Sequence, residues 1–329
     1  MAGVSAMTVS RVLNGEARVR DETRERVLEA MKSLDYRPNI SARSLAKARS
    51  FFLGLLYNNP NPGYVSELLI GMMKRCRQAG YHLAIEDSGD TDAQWAKSVE
   101  LLLRTSNFDG IILPPPVCDF PSIRAALDEL DIPSVRISPE SRQAADSCVV
   151  TDDQDAASRM TRHLLELGHT RIGFIQGDRE HGASAKREAG YRAALSEAGI
   201  EVEDGWVQPG QYTYRSALIA AEAMLSLDNR PTAIFASNDD MAAAVVAMAG
   251  KRGLDVPGDL SVAGFDDTQT ATTIWPQLTT VRQPIAEMAA AAVDIMTRQL
   301  EAQNPDFEPE IRLIPCELIV RGSTARSPD

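Results

Sequence analysis

A chain of 329 residues and 35.8 kDa is too long for one compact domain and suits two or three. Hydrophobic residues make up 44% of it and charged ones 24%, globular values that exclude a disordered or fibrous protein, and no run approaches the roughly 20 apolar residues that span a bilayer. The formal net charge of −12 hides an asymmetry: residues 1–50 hold ten Lys/Arg against six Asp/Glu, and residues 51–329 hold 24 against 40. A basic head on an acidic body is the pattern of a nucleic-acid contact confined to one end, with a chance fluctuation as the plain alternative. The first residues lack the basic-then-apolar pattern of a signal peptide, so the expected location is cytoplasmic. Cys76, Cys118, Cys148 and Cys316 lie far apart with no C-x-x-C pair, which argues against a zinc site and a disulfide framework. No metal or cofactor is expected.

The head reads as two helices. Ser5 can cap the first, which runs from Ala6 to about Leu13 and stops at Asn14-Gly15. Asp21 is the expected cap of the second, with Arg24 at the capping-box position. Val27, Leu28, Met31 and Leu34 recur there at helical spacing until Tyr36-Arg37-Pro38. Residues 39–50 are small, basic and nearly free of core residues, a linker by composition.

From Phe51 short β-type runs alternate with helical stretches. FFLGLLY, YHLAIE, GIILP and PSVRIS are interleaved with helices near 64–79, 92–106 and 120–130. A second series follows: CVVTD, RIGFIQG, TAIFAS, LSVAGFDD and LTTVRQ, with helices near 154–167, 184–198, 214–227, 239–252 and 284–302. This alternation predicts two similar α/β lobes with parallel sheets covered on both faces. A ligand cleft is expected at the carboxyl ends of the strands. The 241–249 helix is apolar on nearly every face, hence buried or in a subunit contact. The tail GSTARSPD is expected to fray.

The segment Ala2-Gly3-Val4-Ser5-Ala6-Met7-Thr8-Val9-Ser10-Arg11-Val12-Leu13-Asn14-Gly15 closely resembles the helix-turn-helix of the lactose-repressor (LacI/GalR) family of bacterial transcription regulators. Tyr36-Arg37-Pro38-Asn39 followed by Ala42-Arg43-Ser44-Leu45-Ala46 is similar to that family's hinge. Further matches follow in order: His163-Leu164, Gly168-His169, Ser237-Asn238-Asp239, Gly264-Phe265-Asp266-Asp267 and Leu278-Thr279-Thr280-Val281 with Gln283. The resemblance implies a two-lobed, periplasmic-binding-protein-like (type I) α/β sensor preceded by a small all-α helix-turn-helix segment. Residues 1–38 would be that segment, 39–50 the hinge and 51–323 the effector-binding and dimerisation domain. Its first lobe would comprise about 51–150 and 284–311, its second about 151–283 and 312–323, with 324–329 a tail. The family also begins with a helix ahead of Ala2-Gly3-Val4-Ser5, and the sequence starts at Met1. Without that helix Val4, Val9, Val12, Val27 and Leu28 are expected to face water, at roughly 1.5–3 kcal/mol each. Operator binding is then expected to be poor until upstream codons are restored.

In this motif the second helix enters the major groove. Arg11 can offer a fork to guanine, with a phosphate contact as its alternative, and Ala6 and Met7 can make apolar contacts to a thymine methyl. Ser5, Ser10, Asn14, Arg18 and Arg20 suit phosphates. In the hinge, Asn39 and Ala42 flank Leu45, an apolar residue suited to a minor-groove wedge. The partner implied is a palindromic double-stranded operator bound by a homodimer, since only nine residues follow Val320, too few for a tetramerising coil. No membrane partner is expected.

The expected effector is a sugar or sugar derivative, with a nucleobase, the ligand of a related branch, as the alternative. Arg187 matches the family's effector-binding arginine, and Tyr212 takes the place of a stacking aromatic. Asn238, Asp266 and Gln283 follow strand ends; Tyr57, Asn58, Tyr64 and Ser138 are the first-lobe candidates. Structural roles are the expectation for Asp239 at a helix start, for Asp152 and Asp267 as helix caps, and for His163 and His169. Three function classes remain: an effector-controlled regulator, a repressor of carbohydrate-utilisation genes; a cytosolic sugar-binding module without DNA binding because its head is incomplete; and an enzyme. The last is disfavoured, since G-x-S-x-G, G-x-x-x-x-G-K-[ST] and a strand-borne G-x-G-x-x-G are all lacking.

Overall fold

The computed structural model describes residues 2–13, 19–34, 49–87, 99, 101–141, 146–302 and 308–328. The chain divides into two compact units, Met1–Ser50 and Phe51–Asp329. In the first, α1 (Ala6–Leu13) starts where the Ser5 hydroxyl accepts a hydrogen bond from the Thr8 amide at 3.2 Å, the expected cap. The second helix, α2 (Asp21–Ser33), departs from expectation: Arg20 is its cap residue, without a side-chain cap bond, and Asp21 opens the first turn. There Asp21 and Glu22 act on the helix dipole instead. Val12 and Val27 are buried, contrary to the expectation that both face water, while Leu28 is half exposed.

Among the described residues the second unit holds two six-stranded sheets. The first comprises β1 (Phe52–Tyr57), β2 (His82–Asp87), β3 (Gly110–Leu113), β4 (Ser134–Ile137), β5 (Cys148–Val150) and β11 (Ile311–Leu313) in the order β11-β5-β4-β3-β1-β2, all parallel. The second comprises β6 (Ile172–Gln176), β7 (Val207–Pro209), β8 (Ala233–Ala236), β9 (Ser261–Asp266), β10 (Thr279–Arg282) and β12 (Glu317–Ile319) in the order β12-β10-β9-β8-β6-β7. Only its β10–β12 pair is antiparallel. Among the described residues the helices with stated bounds are α3 (Pro62–Ala79) and α4 (Pro121–Glu129) in the first lobe, α5 (Asp153–Glu166), α6 (Gly182–Glu197), α7 (Tyr214–Leu225), α8 (Asp239–Lys251) and α9 (Gln269–Thr273) in the second, and α10 (Ile285–Ala302); residues 101–105 are helical too, in the expected 92–106 stretch. Central strands such as β3, β8 and β9 are buried along their whole length, the signature of a sheet covered on both faces.

Three passages join the lobes. The chain leaves the first sheet after β5, returns after β10 to lay α10 against α3 and β3–β5, adds β11, and crosses again to β12. Because β11 pairs with β5, the last crossing falls after Leu313, two residues beyond the expected boundary at 311. Asp152, in the first passage, occupies the cap position of α5 without capping it: its carboxylate accepts from the Cys316 amide at 2.6 Å and from Arg159 at 2.7 Å, tying the first passage to the third. Asp267 is likewise no cap; it pairs with Arg282 at 2.8 Å and Arg321 at 2.6 Å. Nor does the tail fray. Ser323 is buried and donates to the Val262 carbonyl at 2.5 Å, and the Ser327 amide donates to the Leu167 carbonyl at 2.9 Å. His163 meets Thr324 at 3.2 Å, and His169 bridges Thr232 and Ser261 at 2.9 and 3.0 Å, the structural roles expected of both. The apolar α8 is buried on most faces rather than left for a partner.

Candidate functional site

Where the strands of both sheets end, a narrow cleft opens between the lobes. Asn59, Asn61, Tyr64, Pro115 and Ser138 line it from the first lobe, and His181, Ala183, Arg187, Tyr212, Asp266 and Gln283 from the second. Six of the nine sequence candidates therefore converge: Tyr64, Ser138, Arg187, Tyr212, Asp266 and Gln283.

Arg187 is the hub. It lies in the second turn of α6, almost fully buried, and its Nε donates to Asp153 Oδ1 at 3.0 Å. Nη1 donates to the Ser237 carbonyl at 2.6 Å and Nη2 to Gln283 Oε1 at 3.2 Å. The guanidinium stacks over Phe265, 3.6 Å from the ring centre, a cation–π contact in a dry site. Asp266 Oδ1 lies 3.5 Å from Nη1. Burial, reinforced by Asp153 and opposed by Arg187, pushes the Asp266 carboxyl up to about 7. Burial also pushes the His181 imidazole down to about 4, so it stays neutral beside Tyr212, 5.1 Å away between ring centres. The phenols of Tyr64 and Tyr212 are raised above their ordinary value, chiefly by burial.

Backbone strain gathers at the same place. Ser138, Tyr212 and Asp266 all hold positive φ, at 47°, 56° and 105°, though none is glycine. Gly177 makes room for the Tyr212 side chain: a Cβ there would stand 2.1 Å from the ring. Among the residues that line the cleft, Tyr64 Oη, Ser138 Oγ, Tyr212 Oη and Asp266 Oδ1 are buried polar atoms without a hydrogen-bond partner, and three more, Arg159 Nε, Asp267 Oδ1 and Gln299 Oε1, lie elsewhere. Of the four in the cleft, two come from each lobe.

Three candidates fall outside the lining. Tyr57 shares a strand face with Leu53 and Leu55 and packs on their core cluster. Asn58 gives way to Asn59 and Asn61 at the rim. Asn238 caps α8 by accepting from the Met241 amide at 2.9 Å and donates to the Tyr212 carbonyl at 3.1 Å, holding Tyr212 from behind. Asp239 is structural as expected, accepting from Thr280 at 2.6 Å and from the Thr268 amide at 2.7 Å. Sequence reasoning missed Asn59, Asn61 and His181. Asn61 was signalled by Asn-Pro-Gly ahead of an apolar helix: it caps α3 and donates its side-chain amide to Asp266 Oδ2 at 3.2 Å.

The lobes also touch along the cleft's flanks. On one side a Cβ at Gly63 would meet Thr268 at 3.1 Å. On the other, Lys186 Nζ donates to the Pro139 carbonyl at 3.0 Å, and a Cβ at Gly182 would stand 2.6 Å from the Glu140 Cα. Behind that flank Arg136 fixes the 138–141 turn, donating to Asp119 at 2.6 Å and to the Ser141 carbonyl at 3.1 Å.

In the first unit Met7, Arg11 and Arg20 are exposed, whereas the Ser5 hydroxyl is engaged in capping. Ala6 and Ser10 belong to α1. Asn14, Arg18, Asn39, Ala42 and Leu45 lie outside the described residues.

A family model for bacterial regulatory proteins of the lacI family matches residues 1–39, and one for a periplasmic binding protein-like domain matches residues 161–324. The chain is 35% identical over 327 residues to catabolite control protein A of Priestia megaterium, covering 98% of this chain and 96% of that protein. It is 31% identical over 331 residues to the HTH-type transcriptional repressor PurR of Vibrio campbellii, covering 99% and 97%. Among solved structures, the transcriptional regulator CelR–cellobiose complex aligns with a TM-score of 0.77 at 28% identity, covering 98% of this chain and 97% of that one. The lac repressor dimer bound to operator and the anti-inducer ONPF aligns with a TM-score of 0.80 at 26% identity, covering 98% and 96%. Among the described residues no helix is long and apolar enough to cross a membrane.

Proposed function

Because the chain belongs to the lacI family of bacterial regulatory proteins, we propose that it is an effector-controlled, sequence-specific repressor of carbohydrate-utilisation genes, acting in the cytoplasm as a homodimer on a palindromic operator. Residues 1–38 read the major groove through Met7 and Arg11, with Ser10, Asn14, Arg18 and Arg20 on phosphates. Residues 39–50 form the hinge, with Leu45 as the minor-groove wedge beside Asn39 and Ala42. The body from Phe51 binds the effector between its lobes, through Tyr64, Ser138, Arg187, Tyr212, Asp266 and Gln283. Tyr57 and Asn58 support the first-lobe side and Asn238 holds Tyr212 in place. The site is read as a binding site, with no catalytic step assigned to it.

The observation that carries this reading is the distribution of unpartnered polar atoms, two from each lobe. A ligand that satisfies all four favours the arrangement in which the lobes face each other at this distance. An effector moves the DNA-binding equilibrium only by such a difference in affinity between two states, typically 1–3 kcal/mol. The test is fluorescence anisotropy on duplexes from the region upstream of the gene and its neighbours, with and without a panel of sugars. A specific duplex whose affinity changes at least about fivefold with one sugar is expected. Specific DNA binding indifferent to every sugar would refute effector control.

A further inference from the structure

We propose that the cleft selects an uncharged, hydroxyl-rich ligand and rejects phosphorylated or carboxylated analogues of the same molecule. The proposal rests on the reading of the cleft as the effector site and adds the charge class of the ligand.

The first observation is a charge balance. Among the described residues that line the cleft, Arg187 is the cation, and Asp153 at 3.0 Å and Asp266 at 3.5 Å face it. Its guanidinium is committed to the protein on three edges, and one face lies on Phe265. His181 adds no charge, since burial keeps it neutral at physiological pH. Lys186, next to Arg187 in sequence, turns its ammonium to the Pro139 carbonyl on the flank. A phosphate or carboxylate entering here would meet the Asp266 carboxylate and find a cation whose charge Asp153 and Asp266 already offset, with two of its five N–H groups left over for neutral hydroxyls; a charge buried without a net counter-charge is costly.

The second observation is the chemistry of the unpartnered atoms. Three are hydroxyls, of Tyr64, Ser138 and Tyr212, each able to donate or accept; the fourth, Asp266 Oδ1, accepts from a ligand hydroxyl. Such a set pairs with neutral hydroxyls and leaves no buried group unsatisfied. A site of this kind discriminates strongly, because a ligand that fails to match it strands the protein's own polar groups.

The experiment is calorimetric titration of the full chain with D-glucose, D-galactose, D-ribose, cellobiose and maltose, with glucose 6-phosphate, ribose 5-phosphate and gluconate, and with adenine and hypoxanthine. At least one neutral sugar is expected to bind, with an affinity that hardly changes between low and high salt. Its phosphorylated or carboxylated counterpart is expected to bind at least about tenfold more weakly. Asn59→Lys, which adds a cation at the rim, should narrow that gap and make the phosphate's binding salt-dependent; Asp153→Asn should do the same from behind Arg187. Equal or tighter binding of the charged analogue overturns the proposal, as does a panel in which only nucleobases bind or no uncharged member binds. A neutral sugar that binds with the expected discrimination yet leaves operator affinity unchanged would support the charge class and refute the effector reading.

Discussion

Asn61 and Asp266 meet from opposite lobes: the side-chain amide that caps α3 also donates to the carboxylate at the end of β9, 3.2 Å away. One residue thus starts a helix in the first lobe and reports the position of the second.

Asn61→Asp should separate these two duties. Aspartate caps as well as asparagine, so α3 should keep its start, but the added carboxylate is buried beside Asp266 and should lower the melting temperature more at pH 8 than at pH 6. Two carboxylates would then face each other across the cleft. Sugar affinity is expected to drop about tenfold at pH 8 and to recover towards pH 6, where Asp266, with its value of about 7, takes up a proton. Titration at the two pH values checks this; a loss independent of pH would contradict it.

Asp266 itself is a cost to the fold. Its carboxyl is raised to about 7 in the folded protein, whereas an unfolded aspartate ionises near 3.8. Between those values the unfolded chain holds fewer protons than the folded one, so this group's contribution to stability falls as pH rises through that window. Asp266→Asn should therefore raise the melting temperature at pH 8 more than at pH 5, by roughly 2–4 °C for each kcal/mol recovered, while abolishing sugar binding. Differential scanning calorimetry across pH decides it.

His181 tilts the opposite way. It is held neutral down to about 4, whereas an unfolded histidine takes its proton near 6.5. Below that value the unfolded chain binds the extra proton, so stability from this group is lost as pH falls towards 4. His181→Asn should cost stability at pH 7.5 through lost packing on Tyr212, and the deficit should shrink at pH 5. A deficit that grows on acidification would count against it.

Gly182 faces the Glu140 backbone so closely that a methyl group would stand 2.6 Å from its Cα. Gly182→Ala should wedge the lobes apart with little effect within either one. Sugar affinity is expected to fall about tenfold, and operator affinity without sugar should shift in the direction opposite to that caused by the sugar. Anisotropy with and without ligand measures both.

Leu45→Ser should weaken binding to the specific duplex far more than to random DNA, because a wedge acts only where the step it enters can be kinked. Equal losses on both duplexes would assign Leu45 to the linker alone.

Much of the fold was readable because its central strands are continuous apolar runs: GIIL, AIFA and VAGF are legible without context. The three strands missed, β7, β11 and β12, are three-residue edge strands with exposed or half-buried side chains, and β7 ends in proline. Pairing with a neighbour makes them strands, and composition does not carry that information. The cleft followed the same division. Asp266 and Gln283 stand where legible strands end, whereas Arg187 and Tyr212 rested on the family resemblance, Tyr212 following the unseen strand β7. Tyr57 could have been set aside by its period-two relation to Leu53 and Leu55. Asn238 carried a cap signal in Asn-Asp-Asp before an apolar helix. His181 offered no such signal, since its burial beside Tyr212 depends on a turn far away in sequence.

The helix α10 is made late and used early: it comes after 284 residues have been synthesised, yet it covers the sheet built from the first part of the body. A ribosome that stalls before this point leaves the opening half-domain with a bare apolar wall. Premature termination anywhere upstream of residue 302 should therefore yield material for proteases and chaperones, and no shortened receptor.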